Sequence, residues 1–353
     1  MRSERLRNLL KRKQKNYLFY IEHDYSYEIL RPLQKEIQKQ GDRVCWFLVG
    51  KQINNHLSEA ERELKTVEEV IEYNPQACFV PGNTIPNFIP GLKVQVFHSL
   101  EWKKKTTFRI RNCFGLYCTH GPSTTNTFNV LKQKHQHFDV IETGWPKTDA
   151  LFEAIPLNFP EARGPIILYA PTFSPKLTSA AELHDSINKL SKQQSWFWII
   201  KFHPKMDPKL VDQYREIEGK NLKIIETDSI APLLKSAELM VSDTSSVIGE
   251  FALLQKPTIT LNNAMPDDYI INISNHTELE SAINTVLTGT TAIYEEVAVY
   301  AKQLHPYYDG QSSRRVLQAV TNISEKNLNY LKPKPRNIFR HMKMRMKLNY
   351  WKG

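Results

Sequence analysis

The chain has 353 residues, 47 Lys and Arg against 37 Asp and Glu, and a formal net charge of +10. That excess sits at the ends: residues 1–15 carry +6 and residues 332–353 carry +8, which leaves the body between them near −4. A polyanion-wrapping protein, whose basic face is built into its fold, is therefore disfavoured. A hydrophobic share of 41% with 13 Gly excludes a fibrous or disordered chain, and no apolar run reaches the ~18 residues of a membrane span.

The length predicts about two domains. The basic start lacks the apolar stretch of a secretory signal. Cys45, Cys78, Cys113 and Cys118 form no paired framework, and the first two stand in apolar, strand-like runs as small hydrophobes. Cys113, Cys118 and His120 lack a fourth ligand at a zinc-like spacing, so no metal is expected. The expectation is a reduced, cytoplasmic chain.

Strand-like and helix-like runs alternate. NYLFYIE (16–22) is a strand, YSYEILRPLQKEIQKQG (25–41) a helix stopped at Gly41, and VCWFLVG (44–50) a strand. LSEAERELKTVEEVIEY (57–73) reads as a charged helix. ACFVPG (77–82), VQVFHS (94–99), GLYCTHG (115–121) and DVIETGWP (139–146) read as strands. The Pro- and Gly-containing stretch at 156–164 is the expected boundary. Beyond it come strand PIILYAPT (165–172), helix AAELHDSINKLSKQ (180–193) and strands SWFWIIKFHP (195–204), NLKIIET (221–227), ELMVSD (238–243) and PTITLN (257–262). VIGEFALLQ (247–255) lies between the last two as a helix, and 292–330 is helical around the loop HPYYDGQS (305–312). This order predicts α/β units with parallel sheets and right-handed crossovers. The expected layout is a basic tail (1–15), an N-terminal domain (16–160), a C-terminal domain (161–330) and a basic tail (331–353).

Open α/β sheets bind ligands outside the carboxyl ends of their strands, so the strand ends carry the candidates. VFHSLEWKKK supplies His98, Glu101, Lys103 and Lys104. CTHGP supplies His120, and IIKFHPK supplies Lys201, His203 and Lys205. LMVSDTSSVIGE supplies Asp243, Thr244, Ser245, Ser246 and, one turn on, Glu250. Hydroxyls and free N–H groups at a helix start can hold phosphate oxygens, although Ser and Thr are also ordinary N-caps. A histidine after a strand can serve as general base or phosphate contact, or as a plain structural hydrogen-bonder. His135-Gln136-His137 stands on a polar stretch and reads as surface.

VFHSLEWKK, VIETGWPKTDALF, ILYAPTF, IIKFHP, LMVSDTSSVIGEFALLQKP and YYDGQSSRRV, in this order over residues 94–316, resemble the CDP-glycerol glycerophosphotransferase family, which builds teichoic acids and related polymers. The resemblance implies a GT-B-like fold of two facing Rossmann-like domains with a central cleft. It implies an N-terminal acceptor domain, a C-terminal nucleotide-donor domain and no metal or other cofactor. It suggests His98 as general base on the acceptor hydroxyl and His203 as a contact to the donor phosphates. Ser245 and Ser246 then bind the diphosphate. Pro171 and Thr172 line the nucleotide side, with Lys201, Asp243, Thr244 and Glu250. Asp309, Gly310, Ser312 and Arg314 form a loop near the donor. Glu101, Lys103, Lys104 and His120 lie on the acceptor side. Three positions depart from the family pattern: Ser99 replaces the Gly after the first histidine, Thr244 replaces a Tyr, and Glu250 stands where Asp is common.

The implied reaction moves glycerol phosphate from CDP-glycerol to a hydroxyl of a lipid-linked saccharide or glycan, with release of CMP. A glycosyltransferase or UDP-sugar epimerase of the same fold, or a non-catalytic membrane-docked module, remains an alternative. The C-terminal tail mixes Lys and Arg with Ile338, Phe339, Met342, Met346, Tyr350 and Trp351. Its spacing suits a helix, but MKMRMKL (342–348) also alternates with period two. Such a segment reads as binding an anionic membrane surface, which would hold the enzyme on the inner face of the cytoplasmic membrane. A disordered solubilising tail or a helix packed back on the first domain are the competing readings. No nucleic-acid-binding module accompanies the tails.

Overall fold

The structure is a computed structural model that describes residues 13–50, 53–100, 105–227, 229–289, 292–325 and 330–352. The candidates Glu101, Lys103 and Lys104, and most of the N-terminal tail, lie outside the described residues. Two compact units are present. Unit 1 takes the chain up to Ala150 and again from Asp309; unit 2 is Leu151–Tyr308.

Unit 1 starts with β1 (Asn16–Ile21), α1 (Ser26–Lys39), β2 (Arg43–Leu48), α2 (Val67–Tyr73), β3 (Ala77–Val80) and β4 (Leu92–Gln95). It continues with β5 (Leu116–Thr119), α3 (Pro122–His135), β6 (Asp139–Glu142) and α4 (Pro146–Glu153), whose last turn enters unit 2. The six strands are parallel in the order β2-β1-β3-β4-β5-β6. β1 is apolar throughout because a doubly wound sheet is covered on both faces: Leu18, Phe19 and Tyr20 have no exposure.

Unit 2 contains β7 (Ile166–Tyr169), α5 (Ala180–Gln193), β8 (Phe197–Ile200), α6 (Pro208–Glu216), β9 (Leu222–Ile224) and α7 (Ala231–Ser236). Then follow β10 (Leu239–Ser242), α8 (Val247–Ala252), β11 (Thr258–Leu261), β12 (Ile271–Ile273), α9 (Leu279–Leu287) and α10 (Ile293–Leu304). Its sheet is also parallel, in the order β12-β11-β10-β7-β8-β9. In both sheets the winding reverses beside the unit's first strand, between β1 and β3 and between β7 and β10. Such reversal points open the crevice where doubly wound folds take ligands.

The chain then returns to unit 1 with α11 (Ser312–Glu325) and α12 (Ile338–Leu348). The division therefore differs from the expected domains of 16–160 and 161–330. The 156–164 stretch is no linker: Leu157 N–H donates to Ser236 Oγ at 2.8 Å, and the Phe159 ring lies 5.4 Å from Phe197 within unit 2. α11, expected in the second domain, packs against α1.

The C-terminal segment is ordered as a helix and lies on unit 1. Met344 and Tyr350 are buried, Tyr350 packs 5.0 Å from Phe88, and the Arg345 guanidinium lies 5.2 Å over the Phe88 ring. Lys334 Nζ donates to the Cys113 carbonyl at 3.0 Å, Arg340 donates to the Arg111 carbonyl, and Lys347 pairs with Glu22. A free solubilising tail is thereby excluded for residues 330–352.

Two local expectations also change. The helix expected over 57–73 is confined to Val67–Tyr73. Ahead of it, Leu64 N–H donates to the Trp46 carbonyl and Trp46 N–H to the Arg62 carbonyl, each at 2.8 Å, so this stretch pairs alongside β2. Thr66 then caps α2, its side chain accepting from Glu69 N–H at 3.1 Å. His137 is 2% exposed, not a surface residue, and its ring sits edge-on to Phe138.

Candidate functional site

In unit 2 the carboxyl ends of β10, β7 and β8 stand side by side and carry most of the candidates. Asp243 follows β10 directly and is fully buried. Its Oδ1 accepts Thr172 N–H at 2.9 Å; its Oδ2 accepts Ser179 N–H at 2.9 Å and the Ser179 hydroxyl at 3.0 Å. Burial pushes this carboxyl above the usual range, against the pull of those donors. Through these bonds Asp243 holds Thr172 and the loop after β7 in place. Pro171 is buried too, while Thr172 is half-buried at the mouth of the loop.

Thr244 Oγ1 accepts Ala264 N–H at 2.9 Å and ties β10 to the loop after β11. Ser245 is half-buried and Ser246 exposed, at the start of the six-residue helix α8. Glu250 is half-buried one turn further on. Lys201 follows β8, and its ammonium donates to the Phe202 carbonyl at 2.9 Å. His203 is exposed. Its Nδ1 accepts Lys205 N–H at 3.1 Å, which leaves the neutral ring's proton on Nε2. The Phe173 ring stacks on this imidazole, with centroids 4.3 Å apart and planes at 29°, and Lys205 Nζ lies 5.9 Å from the Phe173 ring centre.

In unit 1, His98 follows β4 and is exposed. The preceding residue, Phe97, has φ of +59°, a left-handed conformation costly for a bulky side chain. Phe97 is held there by burial against Tyr117 and Phe128, and its carbonyl accepts Trp145 Nε1–H at 3.3 Å. Tyr25, from the loop after β1, lies on His98 with ring centres 5.4 Å apart, and His23 stacks on Tyr25 at 5.2 Å.

His120 is only 1% exposed, set edge-on to Phe97 and 5.6 Å from Trp145. It is packed between those two rings with almost no exposed surface, contrary to the sequence expectation of an acceptor-side residue. The loop at 309–314 falls in a different unit from the one expected. Asp309, Gly310, Ser312 and Arg314 belong to unit 1, not to the expected donor domain. Ser312 is 1% exposed, and its N–H and that of Ser313 each donate to the Asp149 carboxylate at 2.7 Å. Asp309 accepts Gln311 N–H at 3.1 Å and pairs with Arg315; Arg314 is exposed and donates to Gln311 Oε1 at 3.2 Å. Two motifs read separately in the sequence, the GWPKTD turn and the Asp-Gly loop, are thus one hydrogen-bonded assembly.

Among the described residues no group of three or more His, Cys, Asp and Glu is placed to hold a metal ion, and all four cysteines are buried. Tyr25, Phe173, Ser179 and Asp149 are not among the site residues expected from the sequence, although Phe173 and Asp149 lie within two of its motifs. The aromatic pair left one signal, a ring four residues beyond the first strand of each unit, which a search for ionisable groups does not register.

Two doubly wound parallel sheets, with histidines, a lysine and hydroxyls at their carboxyl ends, define a protein of the doubly wound α/β class, whose ligands bind at the strand ends. The profile of the family described as CDP-Glycerol:Poly(glycerophosphate) glycerophosphotransferase matches residues 117–322, and the chain belongs to that family. His203 and the β10 end fall within the match; His98 precedes it. The chain is 24% identical to the teichoic acid glycerol-phosphate primase of Bacillus spizizenii over 90% of each chain. It is 25% identical to the teichoic acid glycerol-phosphate primase of Bacillus subtilis, a match spanning 55% of this chain and 55% of that relative. Among solved structures, the wall teichoic acid polymerase TagF superposes with a TM-score of 0.61 at 14% identity, covering 92% of this chain and 94% of that one. The UDP-GlcNAc 2-epimerase of Neisseria meningitidis superposes with a TM-score of 0.57 at 15% identity, covering 88% of this chain and all of that one. These superpositions establish the GT-B-like fold class.

Proposed function

We propose that this chain transfers glycerol phosphate from CDP-glycerol to a hydroxyl on a lipid-linked saccharide or cell-surface glycan. The observation that carries the reading is the pair of exposed histidines at strand ends, His98 in unit 1 and His203 in unit 2, in a chain of the glycerophosphotransferase family. His98 takes the proton of the acceptor hydroxyl. The acceptor oxygen attacks the β-phosphorus, a new P–O ester forms, and the diphosphate P–O bond breaks to release CMP. His203 presents its Nε2–H to the donor phosphates, with Lys201, Thr244, Ser245 and Ser246 on the same side. Thr172, held by Asp243, lines the nucleotide. Fixed donors and a fixed base lower the barrier by orientation and charge stabilisation, without a covalent enzyme intermediate. The reading also places the chain on the inner face of the cytoplasmic membrane, bound to anionic lipid through its basic ends.

The test is a donor screen with CDP-glycerol, CDP-ribitol and UDP-sugars, in which nucleotide release and the acceptor product are measured. CMP with a new phosphodiester is the expected outcome. UDP release from a UDP-sugar alone overturns the reading in favour of an epimerase or glycosyltransferase. Donor binding with no turnover overturns it in favour of a binding module. His98→Ala and His203→Ala are each expected to lower turnover about 100-fold, the scale of general acid–base catalysis. A folded variant with near-normal turnover removes that residue from the mechanism.

A further inference from the structure

We infer that Tyr25 and Phe173 are positioning residues, one for each candidate histidine: the Tyr25 ring sets the imidazole of His98, and the Phe173 ring sets that of His203. The inference rests on the proposed reaction, but its evidence is a correspondence internal to the chain.

Each aromatic stands four residues past the end of its unit's first strand, Tyr25 after β1 and Phe173 after β7. Each histidine stands three residues past the end of another strand of that unit, His98 after β4 and His203 after β8. The two units reach this arrangement by different routes. β8 lies next to β7, whereas β3 separates β4 from β1, so Tyr25 has to reach past the β3 end. The same pairing arises from two unlike strand geometries and unlike sequences.

Neither ring is placed for core packing. Tyr25 is 40% and Phe173 39% exposed, among the more exposed large apolar side chains. Exposed aromatics of this kind are normally free to turn, yet both loops are pinned. Asp24, beside Tyr25, accepts Asn54 N–H at 2.9 Å and the Asn54 amide at 2.6 Å. Thr172, beside Phe173, is held by the buried Asp243. Two fixed loops therefore each present a ring to an imidazole that is itself exposed. A histidine on a loop has two side-chain torsions to fix before it can act, and an aromatic ring beside the imidazole, stacked at His203 and tilted at His98, removes much of that freedom. Productive proton transfer requires heavy atoms within hydrogen-bond reach, and a displacement of 1 Å can cost about 100-fold in rate.

The competing role is direct contact with substrate, and kinetics separate the two. For Tyr25→Leu and Phe173→Leu we expect kcat to fall about tenfold, with CDP-glycerol Kd and acceptor KM within about twofold of the parent, since misplacing the base or acid affects the transition state and not binding. Tyr25→Phe and Phe173→Tyr keep the ring and are expected to retain parental kcat. Adding Tyr25→Leu to His98→Ala, or Phe173→Leu to His203→Ala, is expected to cost nothing further. A raised KM or Kd with kcat unchanged overturns the inference, as does a full additional loss in the double variants or equal damage from the conservative and the Leu variants. An arm without turnover keeps the placement separable from the reaction. In NMR spectra of the histidine rings, loss of the adjacent aromatic, tilted against His98 and stacked on His203, is expected to move the His98 or His203 signals by removing its ring current. Unmoved histidine signals in folded Leu variants overturn the placement even in an active enzyme. If both His→Ala variants remain active while the signals move, the proposed reaction has failed and the ring placement stands.

Discussion

Lys334 carries an ammonium into a half-dry site on unit 1. Burial brings it down to about 8, and the neighbouring charge of Lys93 pushes the same way. Its partner is the Cys113 carbonyl, which accepts at 3.0 Å. Folded lysine here loses its proton near 8, whereas the unfolded lysine keeps it to about 10.4. Between those values the unfolded state binds more protons, so stability rises with pH across the window, by about 1.4 kcal/mol per unit at most. Denaturant melts at pH 8 and pH 9.5 are therefore expected to show wild type gaining about 1–2 kcal/mol more than Lys334→Met. An equal gain in both proteins would show that Lys334 keeps its proton after folding. The same scale explains why the carboxylates of the site were hard to assign from sequence. Asp243 and Asp149 stand at motif positions that suit ligand contact, yet both are buried and both accept backbone N–H groups. Type and spacing were legible; which way a carboxylate spends its oxygens depends on burial, which spacing does not carry.

At the level of elements, α11 depends on Asp149 from α4 to cap its first turn. Helix starts leave N–H groups without internal partners, and here Ser312 and Ser313, both buried, donate to one carboxylate. Asp149→Ala leaves two buried donors unmet, at about 1–3 kcal/mol each. We expect a loss of about 3 kcal/mol in chemical denaturation, and partial recovery in Asp149→Asn, whose amide oxygen still accepts. A change below ~0.5 kcal/mol would mean that water replaces the carboxylate. Strands were the legible elements: doubly covered parallel strands read as short apolar runs, and FWII in β8 has no exposure at all. The expectation for 57–66 failed because its apolar spacing fits a helix, while Leu64 is drawn to Trp46 as a strand neighbour. β12 offers no apolar run to read: it is Ile271, Asn272 and Ile273, with Asn272 exposed between them. The C-terminal segment, ambiguous between periods of two and 3.6, resolves as a helix because Met344 and Tyr350 find buried sites on unit 1.

For the molecule as a whole, the charge excess of the chain's end is carried on an ordered surface. α12 is docked through Met344, and its opposite side is apolar: Phe339 is 89%, Ile338 67%, Met346 61% and Met342 48% exposed. Lys343 is exposed beside that strip, and residues 332–353 include no acid. An outward apolar strip edged by cations suits the boundary of an anionic bilayer, where each Lys or Arg adds about 1 kcal/mol at low salt. Phe339→Ser with Met346→Ser is expected to weaken co-sedimentation with phosphatidylglycerol vesicles about tenfold or more. The melting temperature should hold within about two degrees, since neither side chain is packed. Unchanged binding by the double variant removes this strip from the membrane reading.

Unit 1 is assembled from two separated stretches of chain, and this has a consequence for how the protein is made. As it leaves the ribosome, unit 2 emerges as one continuous piece, Leu151–Tyr308, and can close its own sheet. At that moment unit 1 has all six strands but neither α11 nor α12. Asp149 is still waiting for the N–H groups of Ser312 and Ser313, and Glu22 for Lys347. Synthesis order and completion order are therefore inverted: the second unit has its whole chain before the first does. A nascent chain from which Tyr308 has just emerged carries one complete unit and one whose capping segments have still to emerge.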